Sequence, residues 1–162
     1  MPHLRTADPH DPAARPVWDG LAEEYERTYG ERIEGELSVR ETADFRPPRG
    51  VLLLLTQGSE TIAGGAIAPL ADGIAEVKRM WTSPRHRRRG HARVILEALE
   101  REAAKLGYRT LRLQTGAMSR PALALYYAAG YDEARPFGRY ENEPLAVAFE
   151  KLKPPVPARV AA

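Results

Sequence analysis

The stretch from residue 76 to 107 constrains the fold more than any other. It reads as strand, basic turn and helix: Glu76-Val77-Lys78-Arg79-Met80-Trp81-Thr82, then Ser83-Pro84-Arg85-His86-Arg87-Arg88-Arg89-Gly90-His91-Ala92, then a helix. Pro84 has no N–H to give, so strand pairing stops before it. Ala92, Ile95, Leu96, Leu99, Ala103 and Leu106 recur at the spacing of one buried helical face. Charges fill the other face, with Glu97 and Arg101 at pairing distance. Gly107 suits the left-handed residue that closes a helix. A strand followed by a helix that crosses back requires a parallel partner strand, and residues 109–115 supply one.

The turn carries the functional signal. The first N–H groups of a helix have no internal partner and lie at the positive end of its dipole. Gly90 and the small Ala92 let a ligand approach that backbone, and Arg85, Arg87, Arg88, Arg89 and Arg93 surround it with fixed charge. This suits a diphosphate on a helix N-terminus. The pattern is Arg-x-x-Gly-x-Ala over Arg87, Gly90 and Ala92; neither G-x-x-x-x-G-K-[ST] nor G-x-G-x-x-G occurs. A solvated surface turn and a nucleic-acid patch are the alternatives. The net charge is only +2, so basicity is local, which points to one anionic ligand rather than a polyanion. No second basic element or interleaved aromatics accompany the turn, so no nucleic-acid partner is expected.

Along the rest of the chain, residues 3–6 suggest a first strand. Asp11 is a candidate N-cap, with Pro12 opening a helix over 13–29 on which Val17, Leu21, Tyr25 and Tyr29 share a side. Residues 31–49 are polar and read as a short helix and loop. Residues 51–55, Val-Leu-Leu-Leu-Leu, predict a strand covered on both faces. Residues 61–70 and 74–82 form a hairpin about Asp72-Gly73. Gly64-Gly65 marks a bulge or a close backbone approach. A helix over 121–129, a short strand over 131–134, a loop over 136–144 and a last strand over 145–152 complete the pattern. A chain of 162 residues is expected to form one domain over 1–153, with a flexible tail over 154–162. It contains no cysteine, which removes disulfides, thiolate metal sites and a cysteine nucleophile. His86 and His91 lack metal-ligand spacing, so no metal is expected. With no bilayer-length apolar run and no signal-peptide pattern, a cytoplasmic protein without a membrane partner is expected.

The Arg-x-x-Gly-x-Ala segment, followed by Leu111-Arg112-Leu113-Gln114-Thr115-Gly116, Ala122-Leu123-Ala124-Leu125-Tyr126 and Gly130-Tyr131, resembles the acyl-coenzyme-A motif and downstream block of the GNAT superfamily of N-acetyltransferases. The resemblance covers roughly residues 51–152. It implies an α/β (α+β) fold: a mixed central sheet with an antiparallel N-terminal meander, a splayed parallel strand pair and flanking helices. It implies acetyl-coenzyme A as acyl donor and an amine as acceptor, small molecule or protein. The residues leave the assembly open, with a homodimer as the commonest kind. The resemblance places backbone contacts to the coenzyme arm along Met80, Trp81 and Thr82, and the diphosphate at Arg87, Arg88, Arg89, Gly90, His91, Ala92 and Arg93. Tyr126 matches the family tyrosine beside the coenzyme sulfur, and is the candidate general acid. Glu76 lies eleven residues before Arg87, where the histone-acetylating branch carries its basic glutamate.

Each assignment has a plainer reading. Glu76 also reads as a strand carboxylate paired with Lys78 or Arg79, and Tyr126 as a packing aromatic. Strand alternation puts Glu76 on one face with Lys78, Met80 and Thr82, and Arg79 opposite. Ser119 stands where many relatives have asparagine; it either keeps one coenzyme contact or caps the next helix. Tyr25, Tyr29, Arg79 and Tyr140 are candidates for the acceptor pocket, and Arg79 would suit an acceptor carboxylate. A non-catalytic acyl-coenzyme-A sensor is the second functional reading.

Overall fold

The computed structural model of the chain describes residues 1–30 and 44–152. Most of the helix and loop expected over 31–49, and the tail expected over 154–162, lie outside the described residues; 44–49 form bends and turns. The elements are β1 (His3–Ala7), α1 (Arg15–Tyr29), β2 (Val51–Gln57), β3 (Glu60–Ala71), β4 (Ile74–Thr82), α2 (His91–Lys105), β5 (Thr110–Gly116), α3 (Arg120–Ala128), β6 (Asp132–Ala134) and β7 (Ala146–Leu152). Seven strands make one mixed sheet in the order β1-β2-β3-β4-β5-β7-β6. Every neighbouring pair is antiparallel except β4 and β5. This is the expected meander followed by one parallel crossover through α2.

The apolar run in β2 sorts by the two-residue period of a strand. Leu52 and Leu54 enter the core beneath α1 with Val17, Leu21 and Trp81. Val51, Leu53 and Leu55 enter the opposite core with Ile95, Leu96, Leu99 and Phe149. None of the five is more than 4% exposed, so β2 is covered on both faces. Each such side chain contributes about 1.5–3 kcal/mol of burial.

Local signals set the helix ends. The Asp11 carboxylate accepts the Ala13 N–H at 2.9 Å, starting a short 3-10 turn, Pro12–Ala14, from which α1 continues. Gly30 ends α1 at φ 72°. At the end of α2 the Tyr108 N–H bonds the Ala103 carbonyl (3.0 Å) and the Gly107 N–H that of Ala104 (3.1 Å). This double closure is built on a left-handed glycine, here at φ 92°.

Gly64 and Gly65 in β3 serve both expected roles. A Cβ on Gly64 would lie 2.7 Å from Val17 Cγ2, beneath α1. A Cβ on Gly65 would lie 2.6 Å from Met80 Sδ and 2.7 Å from Ile95 Cγ2, beneath α2. Both helices therefore press on β3 where it has no side chain. The ladder slips there too: Gly64 pairs with Trp81 and Ala66 with Lys78, so β4 carries one extra residue.

That bulge corrects the expected alternation of β4. Arg79 adopts φ 61°, and the residues beyond it change face. Val77 lies in the core with α2, and Met80 now packs on that same side, away from the face of Glu76 and Lys78. Arg79 swings to the α1 side, its guanidinium 5.7 Å from the Phe45 ring centre. Arg79 and Glu76 therefore do not lie on opposite faces.

Candidate active site

The parallel pair is in register only at its start: Ile74↔Thr110, Ala75↔Leu111 and Glu76↔Arg112. Beyond it β4 and β5 diverge, and the gap opens into a cavity of about 240 Å³. Its walls come from α1, β4, the end of β5, the start of α3 and the turn Gly138–Tyr140. A break in a parallel ladder exposes backbone N–H and C=O groups to whatever enters. The splay thus gives an amide-bearing chain a strand to pair with.

The cavity brings together most of the sequence-derived candidates. Glu76, Arg79, Met80, Ser119, Tyr126, Tyr25, Tyr29 and Tyr140 all line it. Glu76 Oε1 lies 3.9 Å from Lys78 Nζ, so the ion pair foreseen as its plainer reading is present within the cavity wall. Tyr126 is 5% exposed, and burial pushes its hydroxyl well above the usual tyrosine range. Its ring packs edge-on to Tyr131 at 5.8 Å and against Phe149 at 5.6 Å. The packing role and a place on the cavity wall therefore coincide in one residue. Ser119 sits at the N-cap position of α3 but makes no side-chain cap; of its two expected roles, capping is the one the geometry removes. Tyr29 reaches across the cleft, and any Cβ on Gly116 would collide with its hydroxyl.

Trp81 and Thr82 do not line the cavity. The Trp81 side chain is buried beneath α1, against Gly20, where a Cβ would collide with the indole. Only its backbone is left for a ligand.

The basic turn lies just past the C-terminal end of β4. Pro84–His86 is a single 3-10 turn, and α2 begins at His91 behind Gly90 at φ 80°. No side chain caps this end of α2, and a Cβ on Gly90 would meet nothing within 4 Å. Arg88 also takes a left-handed conformation, φ 63°. The N–H groups of His91, Ala92 and Arg93 begin the helix and face an open approach, a geometry that fits an anion. The arginines are not equivalent. Arg85 pairs with Glu60 at 2.8 Å and Arg93 with Glu97 at 2.9 Å, while Arg87 pairs with Glu24. Among the described residues Arg88 and Arg89 enter no ion pair. Burial holds the His91 imidazole below its usual value, helped by His86 and Arg89.

Several cavity residues escaped the sequence reading. Glu24 and Thr28 lie with Leu21, Tyr25 and Tyr29 on one stripe of α1. Their i, i+3, i+4, i+7, i+8 spacing puts a carboxylate on the same side of the helix as Leu21, Tyr25 and Tyr29, a signal available in the sequence. Burial pushes the Glu24 carboxyl up, against the pull of Arg87 and Arg27. Gln114 in β5 clamps the loop that carries Arg139 and Tyr140. Its side-chain nitrogen donates to the Phe137 carbonyl (3.2 Å) and its oxygen accepts the Phe137 N–H (2.9 Å). No local pattern announces that contact. Among the described residues no group of three His, Cys, Asp or Glu side chains could hold a metal, and no helix is long and apolar enough to cross a membrane.

Comparison with known proteins gives consistent findings. Residues 18–131 match the model of the acetyltransferase (GNAT) family. The chain is 34% identical over 133 residues to an IAA acetyltransferase of Azospirillum brasilense, covering 81% of this chain and 87% of that protein. It is 37% identical over 97 residues to the uncharacterized N-acetyltransferase YsnE of Bacillus subtilis; that match spans 59% of this chain and 64% of the relative. Among solved structures, a candidate acyl-CoA N-acyltransferase from Klebsiella pneumoniae superposes with a TM-score of 0.77 at 27% identity, covering 94% of this chain and 97% of that one. The PaiA N-acetyltransferase of Thermoplasma acidophilum, solved in complex with coenzyme A, superposes with a TM-score of 0.74, covering 94% and 99%. At 17% identity this second likeness concerns the fold alone.

Proposed function

Because the chain belongs to the GNAT acetyltransferase family, we propose that it moves the acetyl group of acetyl-coenzyme A onto a primary amine by direct attack in a ternary complex. The observation that carries this reading is the continuity of two features. The uncapped start of α2 seats a diphosphate, and the splay of β4 from β5 leads from there into a cavity lined by Glu76 and Tyr126. Backbone groups on the diverging part of β4 pair with the amide-bearing arm of the donor. The bulge at Arg79 takes one residue out of the ladder, leaving a main-chain donor for the thioester carbonyl, the arrangement that stabilises a developing oxyanion.

The chemistry follows from the groups present. A primary ammonium has a free pKa of about 10, so it must lose a proton before it attacks. Glu76 accepts that proton, directly or through water. The amine nitrogen bonds to the acetyl carbon, the carbon–sulfur bond breaks, and the Tyr126 hydroxyl protonates the departing thiolate; the second proton shed by nitrogen as the amide forms restores the tyrosine hydroxyl through water. With no cysteine in the chain, the sequence offers no thiol to carry an acetyl-enzyme intermediate. Tyr25, Tyr29, Arg79 and Tyr140 form the acceptor side of the cavity.

The test combines calorimetry with coenzyme A and a screen of primary amines that reads free thiol released from acetyl-coenzyme A. Binding of coenzyme A, amine-dependent thiol release and intersecting initial-rate lines are the expected results. Absence of coenzyme A binding overturns the reading; parallel lines overturn direct transfer.

A further inference from the structure

Glu24 joins two places that the proposed reaction must connect. Glu24 lines the cavity from α1. Its carboxylate nevertheless turns out to the basic turn and pairs with Arg87, the first residue of the Arg-x-x-Gly-x-Ala segment. Arg87 also reaches the Thr82 carbonyl at 3.4 Å, at the end of β4. The pair is only partly exposed, 34% for the Glu24 side chain and 44% for Arg87. It therefore spans the boundary between the diphosphate seat and the acceptor cavity.

A diphosphate on this seat competes for Arg87, because guanidinium binds a phosphate oxygen pair at least as well as a carboxylate. Once Arg87 turns to the phosphate, the Glu24 carboxylate loses its partner and faces the cavity. The charges it meets there are mixed: Lys78 and Arg79 on β4, Arg139 on the loop and Glu76, with Arg27 on its own helix. A cationic acceptor entering beside Glu24 supplies the lost counter-charge.

Resting on the transferase reading, we propose that Glu24 is a donor-gated acceptor site: Arg87 holds it while the seat is empty, and the donor's diphosphate hands it to the cavity to bind the acceptor's ammonium group. The direction of its titration agrees. Burial raises the Glu24 carboxyl and Arg87 opposes that rise, so once Arg87 leaves, the carboxylate form is favoured only where another cation takes the guanidinium's place.

The test needs no knowledge of the natural acceptor. Coenzyme A derivatives carrying S-alkyl chains of two to five carbons are compared, each ending either in a primary ammonium or in an isosteric methyl group. Wild-type protein is expected to bind the best ammonium derivative about tenfold more tightly than its methyl counterpart, the size of one charge-assisted contact. Glu24→Gln abolishes that preference, and Glu24→Asp keeps part of it. Unmodified coenzyme A reads the other half of the exchange. Above neutral pH it binds Glu24→Gln about two- to fivefold more tightly than wild type, because no half-exposed ion pair has to be broken. The advantage disappears in acid, where the wild-type carboxyl is itself neutral and releases Arg87. A purely structural Glu24 would not produce this pH-dependent crossover. Equal ammonium preference in wild type and Glu24→Gln, or coenzyme A affinities that do not differ at any pH, overturns the proposal. Failure of wild-type protein to bind coenzyme A at all overturns the transferase reading instead.

Discussion

Tyr126 and Glu76 show how one side chain can satisfy a packing rule and a chemical one together. Tyr126 wedges its ring against Phe149 and Tyr131 and still lines the cavity. Because burial raises its titration, the hydroxyl remains a proton donor across the ordinary pH range. Tyr126→Phe keeps the ring and removes only the proton. Turnover is expected to fall about 10²-fold, with coenzyme A affinity measured by calorimetry almost unchanged. An unaltered kcat would remove Tyr126 from the mechanism. Glu76→Gln preserves shape and removes the base. If Glu76 acts only as the transition state forms, kcat and kcat/KM should drop together. A rise in KM alone would instead give it a binding role.

At the scale of elements, β3 and β5 do the positioning. The glycine pair of β3 lets α1 and α2 sit on the two faces at the same point of the sheet. Gly65→Val would force Met80, Ile95 and Leu99 outward. A loss of about 1–3 kcal/mol is expected from such overpacking, read as a lower urea midpoint at unchanged slope. An unchanged midpoint would mean that α2 can ride up at no cost. In β5, Gln114 holds the loop that brings Arg139 and Tyr140 over the cavity. Gln114→Ala is expected to raise the KM of whichever amine the screen identifies while leaving coenzyme A affinity alone, since the clamp touches only the acceptor side. Equal losses in both would show that the loop also supports the donor.

The whole molecule carries a second consequence of buried tyrosines. Tyr131 donates to Glu100 at 3.2 Å, and Lys151 pairs with the same carboxylate at 2.9 Å while bonding the Ala129 carbonyl at 2.7 Å. Glu100 is 3% exposed, so α2, β7 and the end of α3 are tied through one buried polar cluster. Burial, reinforced by Glu100, raises the Tyr131 hydroxyl, and burial alone raises Tyr126. A folded-state value above the unfolded one, about 10, means that the stabilisation is complete below pH 10 and is lost as pH rises beyond it. Urea unfolding is therefore expected to hold its midpoint from pH 8 to 9 and weaken steeply by pH 11, with Tyr131→Phe showing a shallower decline. A midpoint of Tyr131→Phe that tracks wild type throughout would exclude the cluster as the cause.

What could be read from the residues alone was whatever depends on neighbours a few positions apart. The Asp11 cap, the Gly30 and Gly107 stops, the Asp72-Gly73 hairpin, the doubly covered β2 and the Arg-x-x-Gly-x-Ala turn are set by backbone preference and short-range periodicity, and their order implies the single parallel crossover. The face on which Met80 and Arg79 lie, the exchange partner of Arg87 and the clamp on Phe137 could not be read this way. One bulge in β4, caused by how it meets Gly64 and Gly65 across the sheet, inverts the alternation on which a strand reading depends. Glu24 and Arg87 are 63 residues apart, and Gln114 and Phe137 are 23 apart. Contacts of that kind follow from register and packing between distant segments, which are fixed only when the helices close on the sheet.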